Sequence, residues 1–236
     1  MSNQSIQAVL FDLDGTLIDT APDFIRIINV MCDKHNHVAP SAEAIREQVS
    51  AGARAMVKLM FGDELANVAD TDPTLLAYRQ EFLDTYEADI CVDSKLFDGL
   101  ETLLGCLERQ DIPWGIVTNK PRYLAEILLE KLALTERCSV LVCPEDVTHT
   151  KPDPEPLYLA AKQLDVDAAR CIYVGDHIRD IQAGNAAGMH TVIAGFGYVP
   201  PEDSDLAAWQ ADDIVATSTE LQQLIADSRL DFVAWV

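Results

Sequence analysis

The chain has 236 residues, of which 49% are hydrophobic and 24% are charged, a balance typical of a globular protein with a buried core. No stretch approaches the 18 consecutive apolar residues of a membrane-spanning helix, and the first residues lack the pattern of a secretion signal. We therefore expect no membrane segment and a cytoplasmic location. The six cysteines include no C-x-x-C pair, which predicts buried thiols rather than disulfides or a zinc site.

Seventeen basic residues stand against 39 acidic residues, and the formal net charge is −22. A surface this negative repels nucleic acid and anionic lipid at long range, so we expect neither as a partner. The same field opposes an anionic substrate. A phosphate site in this chain would therefore need strong local positive charge.

The first predicted element is a short apolar strand, Gln7–Phe11, that ends at Asp12. From Thr20 to Lys95 apolar residues recur at helical spacing, without a convincing strand. We interpret this stretch of roughly 75 residues as an all-helical insert large enough to be a small domain. Its predicted helices begin at Thr20, with Pro22 in the first turn, and continue around Ala42–Val49, Ala53–Phe61 and Thr74–Tyr86.

After Leu96 amphipathic helices alternate with short apolar strands, which predicts a parallel α/β sheet covered on both faces. The apolar tail Leu230–Val236 is expected to pack on this domain or on a neighbouring subunit. The predicted strands are Pro113–Val117, Ser139–Val142, Cys171–Val174, Thr191–Ala194 and Asp213–Ala216, and the predicted helices are Leu100–Gln110, Tyr123–Leu132, Glu155–Leu164, Ile178–Ala187 and Ser218–Ala226.

Open parallel sheets bind ligands at the carboxyl ends of their strands, and the first of these ends carries Asp12 and Asp14. Two residues apart on an extended chain, their side chains project to the same side, and Gly15 permits the tight turn that directs both to one point. The next helix begins nearer to Thr20, so Asp19 or Thr20 is its expected cap. Neither Asp12 nor Asp14 is needed for capping.

Asp176 and Asp180 follow a later strand. Several carboxylates share one pocket only when a cation balances them, and oxygen donors without a His or Cys cluster favour Mg2+. Asp180 has an alternative explanation, as a negative charge in the first turn of a helix. We do not assign His177 as a ligand.

Thr118 and Asn119 lie where a strand meets a helix, so a hydroxyl and backbone amides would form an anion site there. Lys151 precedes Pro152, which moves it out of helical geometry and leaves its side chain to reach the cleft. These groups supply the local positive charge that a phosphate site needs. The set predicts a phosphoryl group beside two carboxylates, one a nucleophile forming an aspartyl phosphate and one a general acid and base.

Four segments resemble, in order, the motifs of the haloacid dehalogenase superfamily, and together they span essentially the whole chain. The resemblance implies a Rossmann-like catalytic core, residues 1–19 and 96–236, with an inserted helical cap, residues 20–95, as in the phosphoglycolate phosphatase-like subgroup. The four segments are Asp12-x-Asp14-Gly-Thr-Leu, Thr118-Asn119, Lys151-Pro152 and Gly175-Asp176-x3-Asp180.

The resemblance also implies a role for each site residue. Asp12 would be the nucleophile and Asp14 the general acid and base. Mg2+ would be held by Asp12, the carbonyl of Asp14 and Asp176, and supported by Asp180 from outside the ligand set. Phosphate would be bound by Thr118, Asn119 and Lys151.

Several stretches are similar to the branch of this subgroup that dephosphorylates N-acetylmuramic acid 6-phosphate in cell-wall recycling. The resemblance therefore implies a phosphomonoesterase for that substrate, with 2-phosphoglycolate as the alternative and a phosphosugar mutase as a more distant one. The stretches similar to the first branch are Thr20–Phe24, Ala51–Val57, Ser94–Phe97 and Tyr198–Asp203, whereas Thr118–Pro121 and Lys151–Pro156 look like bacterial phosphoglycolate phosphatases.

Arg54 follows Gly52 in a predicted loop-to-helix turn of the cap. From there its guanidinium would reach over the cleft and bind a substrate carboxylate through two hydrogen bonds. Both candidate substrates carry a carboxylate, so this residue does not separate them. An exposed helix arginine remains the alternative explanation.

The sequence does not distinguish a monomer from a homodimer.

Overall fold

The computed structural model describes residues 6–199 and 205–227, and this part of the chain contains eight strands and nine α-helices. The strands are β1 (Ala8–Phe11), β2 (Ile18–Asp19), β3 (Lys95–Leu96), β4 (Trp114–Val117), β5 (Val140–Val142), β6 (Cys171–Gly175), β7 (His190–Ala194) and β8 (Asp213–Val215). The helices are α1 (Ala21–His35), α2 (Ala42–Gln48), α3 (Ala53–Phe61), α4 (Pro73–Ala88), α5 (Leu100–Arg109), α6 (Arg122–Lys131), α7 (Glu155–Gln163), α8 (Ile178–Ala187) and α9 (Ser218–Asp227).

Six strands form a parallel sheet in the order β5-β4-β1-β6-β7-β8. The central strand β1 pairs with β4 and β6, so Val9 lies beside Trp114 on one side and Ile172 on the other. Because side chains alternate along a strand, Val9 and Phe11 join the core cluster that contains α5, α6 and α9, whereas Leu10 packs with α7 and α8. Helices cover both faces, and the predicted α/β fold is confirmed.

The predicted strands and helices after Leu96 are confirmed, with bounds that differ by at most one residue at either end. The segment between β2 and β3 contains the helices α1 to α4, as the helical spacing predicted. The strands β2 and β3, which pair antiparallel through Ile18–Leu96 and Asp19–Lys95, were not predicted. Two residues per strand are too few to produce a recognisable alternation. The predicted tail Leu230–Val236 and the stretch 200–204 lie outside the described residues.

The expected cap of α1 is wrong in its detail. Thr20 does occupy the N-cap position, but its side chain makes no capping hydrogen bond. Its hydroxyl instead donates to Asp14 Oδ1 at 2.7 Å. Helix α1 therefore begins with its cap side chain turned toward the strand ends.

All six cysteines are free, and four of them are buried. Burial raises the pKa of Cys143 to about 12 and those of Cys138 and Cys171 to about 11. The prediction of thiols rather than disulfides is thus confirmed. Among the described residues, no helix combines the length and the apolar character needed to cross a membrane.

Candidate active site

The four predicted site segments meet at one edge of the main sheet because their strands are neighbours in it. Asp12 follows β1, Thr118 follows β4, Lys151 comes after β5, and Asp176 follows β6. Asp12, Thr118 and Lys151 border a cavity of about 310 Å³ whose opposite wall is formed by α1, α3 and α4. This volume is in the range of small-molecule binding sites.

Lys151 lies beside the acidic cluster formed by Asp12, Asp176 and Asp180 and is only 3% exposed. Its ammonium is 2.9 Å from Asp12 Oδ1 and 2.7 Å from Asp180 Oδ1, and it donates to the Val117 carbonyl and the Tyr173 hydroxyl, both at 2.8 Å. Burial alone would lower the pKa of Lys151, but Asp12 and Asp180 raise it. The lysine is therefore a fixed positive charge beside Asp12, as the need for local positive charge predicted.

Asp12, Asp176 and Asp180 each offer a carboxylate oxygen, and these three oxygens lie within 4.8 Å of one another. Burial raises the pKa of Asp12 to about 6, with Lys151 opposing and Asp180 adding to the shift. Burial, Asp12 and Asp180 together raise the pKa of Asp176 to about 7. One lysine does not balance three buried carboxylates, so this donor set fits a hard divalent cation.

Asp176 is completely buried and is held from three directions. Its Oδ1 accepts from the Thr16 hydroxyl at 2.8 Å, and its Oδ2 accepts from the Ser50 hydroxyl at 2.7 Å and the Tyr198 N–H at 3.0 Å. Ser50 lies between α2 and α3, in the segment predicted as the cap, and its hydroxyl also donates to the Asp14 carbonyl at 3.3 Å. The helical segment therefore contacts the acidic cluster directly.

Gly15 makes this close packing feasible. Its φ of +84° lies in the left-handed region, and a Cβ there would come within 2.2 Å of Asp176 Oδ2 and 2.6 Å of the Ser50 hydroxyl. A side chain would be strained and would displace the carboxylate. The tight turn that the sequence predicted after Asp14 is present, and it also makes room for Asp176.

Asp14 faces a different lysine from Asp12. The Lys120 ammonium is 3.0 Å and 3.2 Å from the two oxygens of Asp14 and 3.2 Å from the Tyr86 hydroxyl of α4. It also lies over the rings of Tyr86 and Phe24, at 4.5 Å and 5.0 Å from their centroids. Sequence reasoning missed this role, although Lys120 directly follows Thr118 and Asn119.

The two residues predicted to bind phosphate after β4 have different environments. The Thr118 hydroxyl borders the cavity and accepts from the Lys120 N–H at 3.1 Å. Asn119 also borders it, but its amide donates to the Lys151 carbonyl at 3.0 Å and so fixes that residue's backbone. At the start of the following helix, the Arg122 N–H donates to the Glu145 carboxylate. The anion site at Thr118 and Asn119 stays a prediction.

Asp180 and His177 both belong to the start of α8. The His177 ring accepts from the Arg179 N–H at 3.2 Å, while Asp180 Oδ2 accepts from the His177 N–H at 3.1 Å, which forms a reciprocal cap. Asp180 is completely buried and also pairs with Lys151. Asp180 therefore caps the N-terminus of α8 and also forms a salt bridge within the acidic cluster.

Arg54 lies in the first turn of α3, exposed, and borders the cavity as the sequence predicted. Arg79 of α4 borders the same cavity and was not predicted, since nothing in the spacing of α4 distinguishes it from a surface arginine. The apolar lining of the cavity comes from Phe24, Phe82, Leu83, Tyr86 and Leu124. The cavity thus combines an acidic and lysine-rich floor with a mixed wall of aromatic and arginine side chains.

The chain is similar to known proteins over nearly its whole length. A model of the haloacid dehalogenase-like hydrolases matches residues 9–194. The sequence is 46% identical to N-acetylmuramic acid 6-phosphate phosphatase of Pseudomonas aeruginosa over 98% of this chain and 100% of that protein. It is 42% identical to phosphoglycolate phosphatase of Xanthomonas campestris over 91% of this chain and 94% of that protein.

The fold is also found among solved structures. A haloacid dehalogenase family hydrolase from Deinococcus radiodurans R1, crystallised with phosphate and sodium, superposes with a TM-score of 0.72 at 21% identity, covering 94% of this chain and 96% of that one. The chain belongs to the haloacid dehalogenase-like hydrolase family. Within that family it is an enzyme of the phosphatase class, as the resemblance of its four motifs implied.

Proposed function

We propose that this enzyme is a Mg2+-dependent phosphomonoesterase that acts through an aspartyl phosphate on Asp12. The observation that carries the proposal is the position of Lys151, which is buried and forms salt bridges with Asp12 and Asp180. Asp14 forms its salt bridge with a different lysine, Lys120. One carboxylate is thereby placed for attack and the other for proton transfer.

In the first step a carboxylate oxygen of Asp12 forms a bond to phosphorus as the bond to the ester oxygen breaks. Asp14 gives its proton to the departing oxygen. In the second step Asp14 takes a proton from water, which attacks phosphorus and releases inorganic phosphate and the free Asp12 carboxylate. Lys151 and the Thr118 hydroxyl hold the phosphoryl oxygens throughout, and the lysine offsets their negative charge.

The carboxylates of Asp12 and Asp176 and the carbonyl of Asp14 would hold the metal ion. Asp180 would support the set through its contact with Lys151 and its cap on α8. When bound, the ion supplies positive charge at the phosphoryl oxygens. The clustering of the three carboxylates and the raised pKa values of Asp12 and Asp176 support this assignment.

We further propose that residues 20–95 form a cap domain on a core of residues 1–19 and 96–236. The boundaries of the cap lie at β2 and β3, which pair antiparallel where the chain enters and leaves the helical segment. The cap supplies the cavity wall that faces the acidic cluster. It would therefore select the substrate, and Arg54 would contact the substrate from it.

For the substrate we propose N-acetylmuramic acid 6-phosphate, which places the enzyme in cell-wall recycling. The relative of that name is the more similar of the two described above, at 46% against 42% identity. The cavity of about 310 Å³, with its aromatic wall, suits a sugar ring better than a two-carbon acid. The alternative substrate is 2-phosphoglycolate, which the second relative's name supports.

The test is kcat/KM for both substrates, with Mg2+, on the wild-type enzyme and on Asp12→Asn, with Asp33→Asn on the exposed side of α1 as the control. We expect the amino-sugar phosphate to be preferred at least tenfold, which is about 1.4 kcal/mol of transition-state binding. Asp12→Asn should be inactive and Asp33→Asn unaffected. Preference for 2-phosphoglycolate would select the alternative, and an isomerised sugar phosphate in place of free phosphate would indicate a mutase. Activity retained by Asp12→Asn would contradict the mechanism.

A further inference from the structure

Two arginines of the helical segment border the active-site cavity. Arg54 lies in the first turn of α3 and Arg79 on α4, and these two helices pack against each other. Both side chains border the cavity that contains Asp12 and Lys151. Arg79 is partly buried. The two positive charges therefore face the same enclosed space, opposite the position of the phosphoryl group.

Neither arginine forms a salt bridge or a hydrogen bond with a residue in the described parts of the chain. Asp70, whose pKa Arg54 contributes to lowering, forms its salt bridge with Lys58 instead, at 3.0 Å. The lysines of the same cavity differ, because Lys120 and Lys151 are both paired with aspartates. In a chain with 39 acidic and 17 basic residues, paired cations are the expected state.

The arrangement is unfavourable as it stands. Burial lowers the pKa of Arg79, and the positive charge of Arg54 lowers it further. Like charges held together at a partly buried site cost free energy unless an anion binds between them. Guanidinium groups suit a carboxylate because each presents parallel N–H donors that match its two oxygens.

We propose that Arg54 and Arg79 together form a subsite for a carboxylate of the substrate, so that the enzyme acts on phosphate monoesters carrying a second anionic group. This inference rests on the proposed phosphatase function and adds Arg79 as a specificity-determining residue. The phosphoryl group lies at Asp12 and Lys151, and the carboxylate is held across the cavity by the arginine pair. Selectivity then comes from the cap, and the chemistry from the strand ends.

The experiment compares pairs of phosphate esters in which one member carries a carboxylate and the other does not. N-Acetylmuramic acid 6-phosphate is paired with N-acetylglucosamine 6-phosphate, which lacks the lactyl group, and 2-phosphoglycolate is paired with ethyl phosphate. kcat/KM for all four is measured on the wild-type enzyme, Arg54→Ala, Arg79→Ala, Arg79→Lys and the double variant. Lys34→Ala, which removes a positive charge from cap helix α1 outside the cavity, is the control.

We expect the wild-type enzyme to prefer the carboxylated member of at least one pair tenfold or more. Arg79→Ala should reduce that preferred activity about 10- to 100-fold, the range for one charge-assisted contact, and change the uncarboxylated partner less than about twofold. Arg79→Lys should recover part of the loss. The double variant should lose less than the product of the two single losses, because both arginines bind one group.

The uncarboxylated partner shows whether each variant is folded and active. Equal loss on both members of a pair, or no loss in Arg79→Ala, would overturn the subsite while leaving the phosphatase intact. A wild-type enzyme that hydrolyses ethyl phosphate and N-acetylglucosamine 6-phosphate as well as their carboxylated partners would also overturn it. A wild-type enzyme inactive on all four esters would overturn the proposed function itself, and the subsite with it.

Discussion

The two aspartates that follow β1 differ in the lysine that each contacts. Asp12 and Asp14 are two positions apart in the chain, yet Asp12 is paired with Lys151 from beyond β5 and Asp14 with Lys120 from beyond β4. Each carboxylate thus has its own electrostatic environment. Lys120 also touches Tyr86 of the helical segment, so the position of Asp14 depends on both halves of the cavity.

Replacing Lys120 by Met should impair catalysis more than substrate binding. Without the ammonium, the carboxylate of Asp14 keeps only the Thr20 hydroxyl as a partner among the described side chains. We expect kcat to fall about 10- to 100-fold, the value of a lost charge-assisted contact, with a smaller change in KM. Steady-state kinetics on Lys120→Met and on Lys162→Met, an exposed lysine of α7, would test this. An equal effect in both variants, or a change confined to KM, would contradict a positioning role for Lys120.

At the scale of elements, a buried aspartate joins the two ends of the helical segment. Asp23, in the first turn of α1, is completely buried. Its carboxylate accepts from the backbone N–H groups of Val92, Asp93 and Ser94, from the Ser94 hydroxyl, and from Arg26 at 2.6 Å. It therefore fixes the chain just before β3. From the sequence alone, Asp23 is indistinguishable from an ordinary negative charge in the first turn of a helix.

The stability due to Asp23 should depend on pH. Burial alone would raise its pKa, but Ser94, the Asp93 N–H and Arg26 together lower it below 3.8. A lowered pKa means that this stabilisation is present above pH 3.8 and is lost as the pH falls through the folded-state value. The other charges facing Arg26 are Asp89 and the Asp93 carboxylate, both about half exposed.

We expect Asp23→Asn to lower the free energy of unfolding by about 2–4 kcal/mol at pH 6, since several hydrogen bonds to a charged acceptor are weakened. The difference from the wild-type protein should shrink below pH 3.8. Chemical denaturation of the wild type, Asp23→Asn and the exposed control Asp33→Asn at both pH values measures it. A difference that is the same at pH 3 and pH 6 would show that the carboxylate charge does not contribute.

At the scale of the whole molecule, the charge of −22 opposes folding while the site concentrates positive charge locally. Many basic residues outside the cavity are used in surface salt bridges, such as those of Arg137 with Glu101 and Glu108. Exposed pairs of this kind contribute little to stability. The remaining acidic surface repels itself, and this repulsion is larger in the compact folded state than in the extended chain.

Salt should therefore stabilise the protein. Raising NaCl from about 0.01 M to about 1 M shortens the screening distance from roughly 30 Å to roughly 3 Å, which removes most of the repulsion between surface carboxylates. We expect Tm to rise, by about 2–4 °C for each kcal/mol gained in a chain of this size. Thermal unfolding followed by circular dichroism, with KCl as a second neutral salt, measures the effect. A constant or falling Tm in both salts would show that self-repulsion is not a significant destabilising contribution.

The sequence by itself determined the sheet, the helical segment and the residues at the strand ends. Asp12, Thr118, Lys151 and Asp176 follow strands whose apolar runs are easy to recognise, and parallel topology brings such ends together. Each of these features is local, because a few neighbouring residues specify the strand and the polar group after it. The same locality explains why the four motifs of the family were recognisable.

The tertiary structure alone decided which side chains face one another. Ser50 and Asp176 are 126 positions apart, Lys120 and Asp14 are 106 apart, and no local pattern in either partner anticipates the contact. Arg79 belongs to a helix whose spacing shows only one apolar face, and its place on the cavity depends on how α3 and α4 pack. Contacts between distant segments depend on the packing of whole elements, and such packing leaves no periodic signal in the sequence.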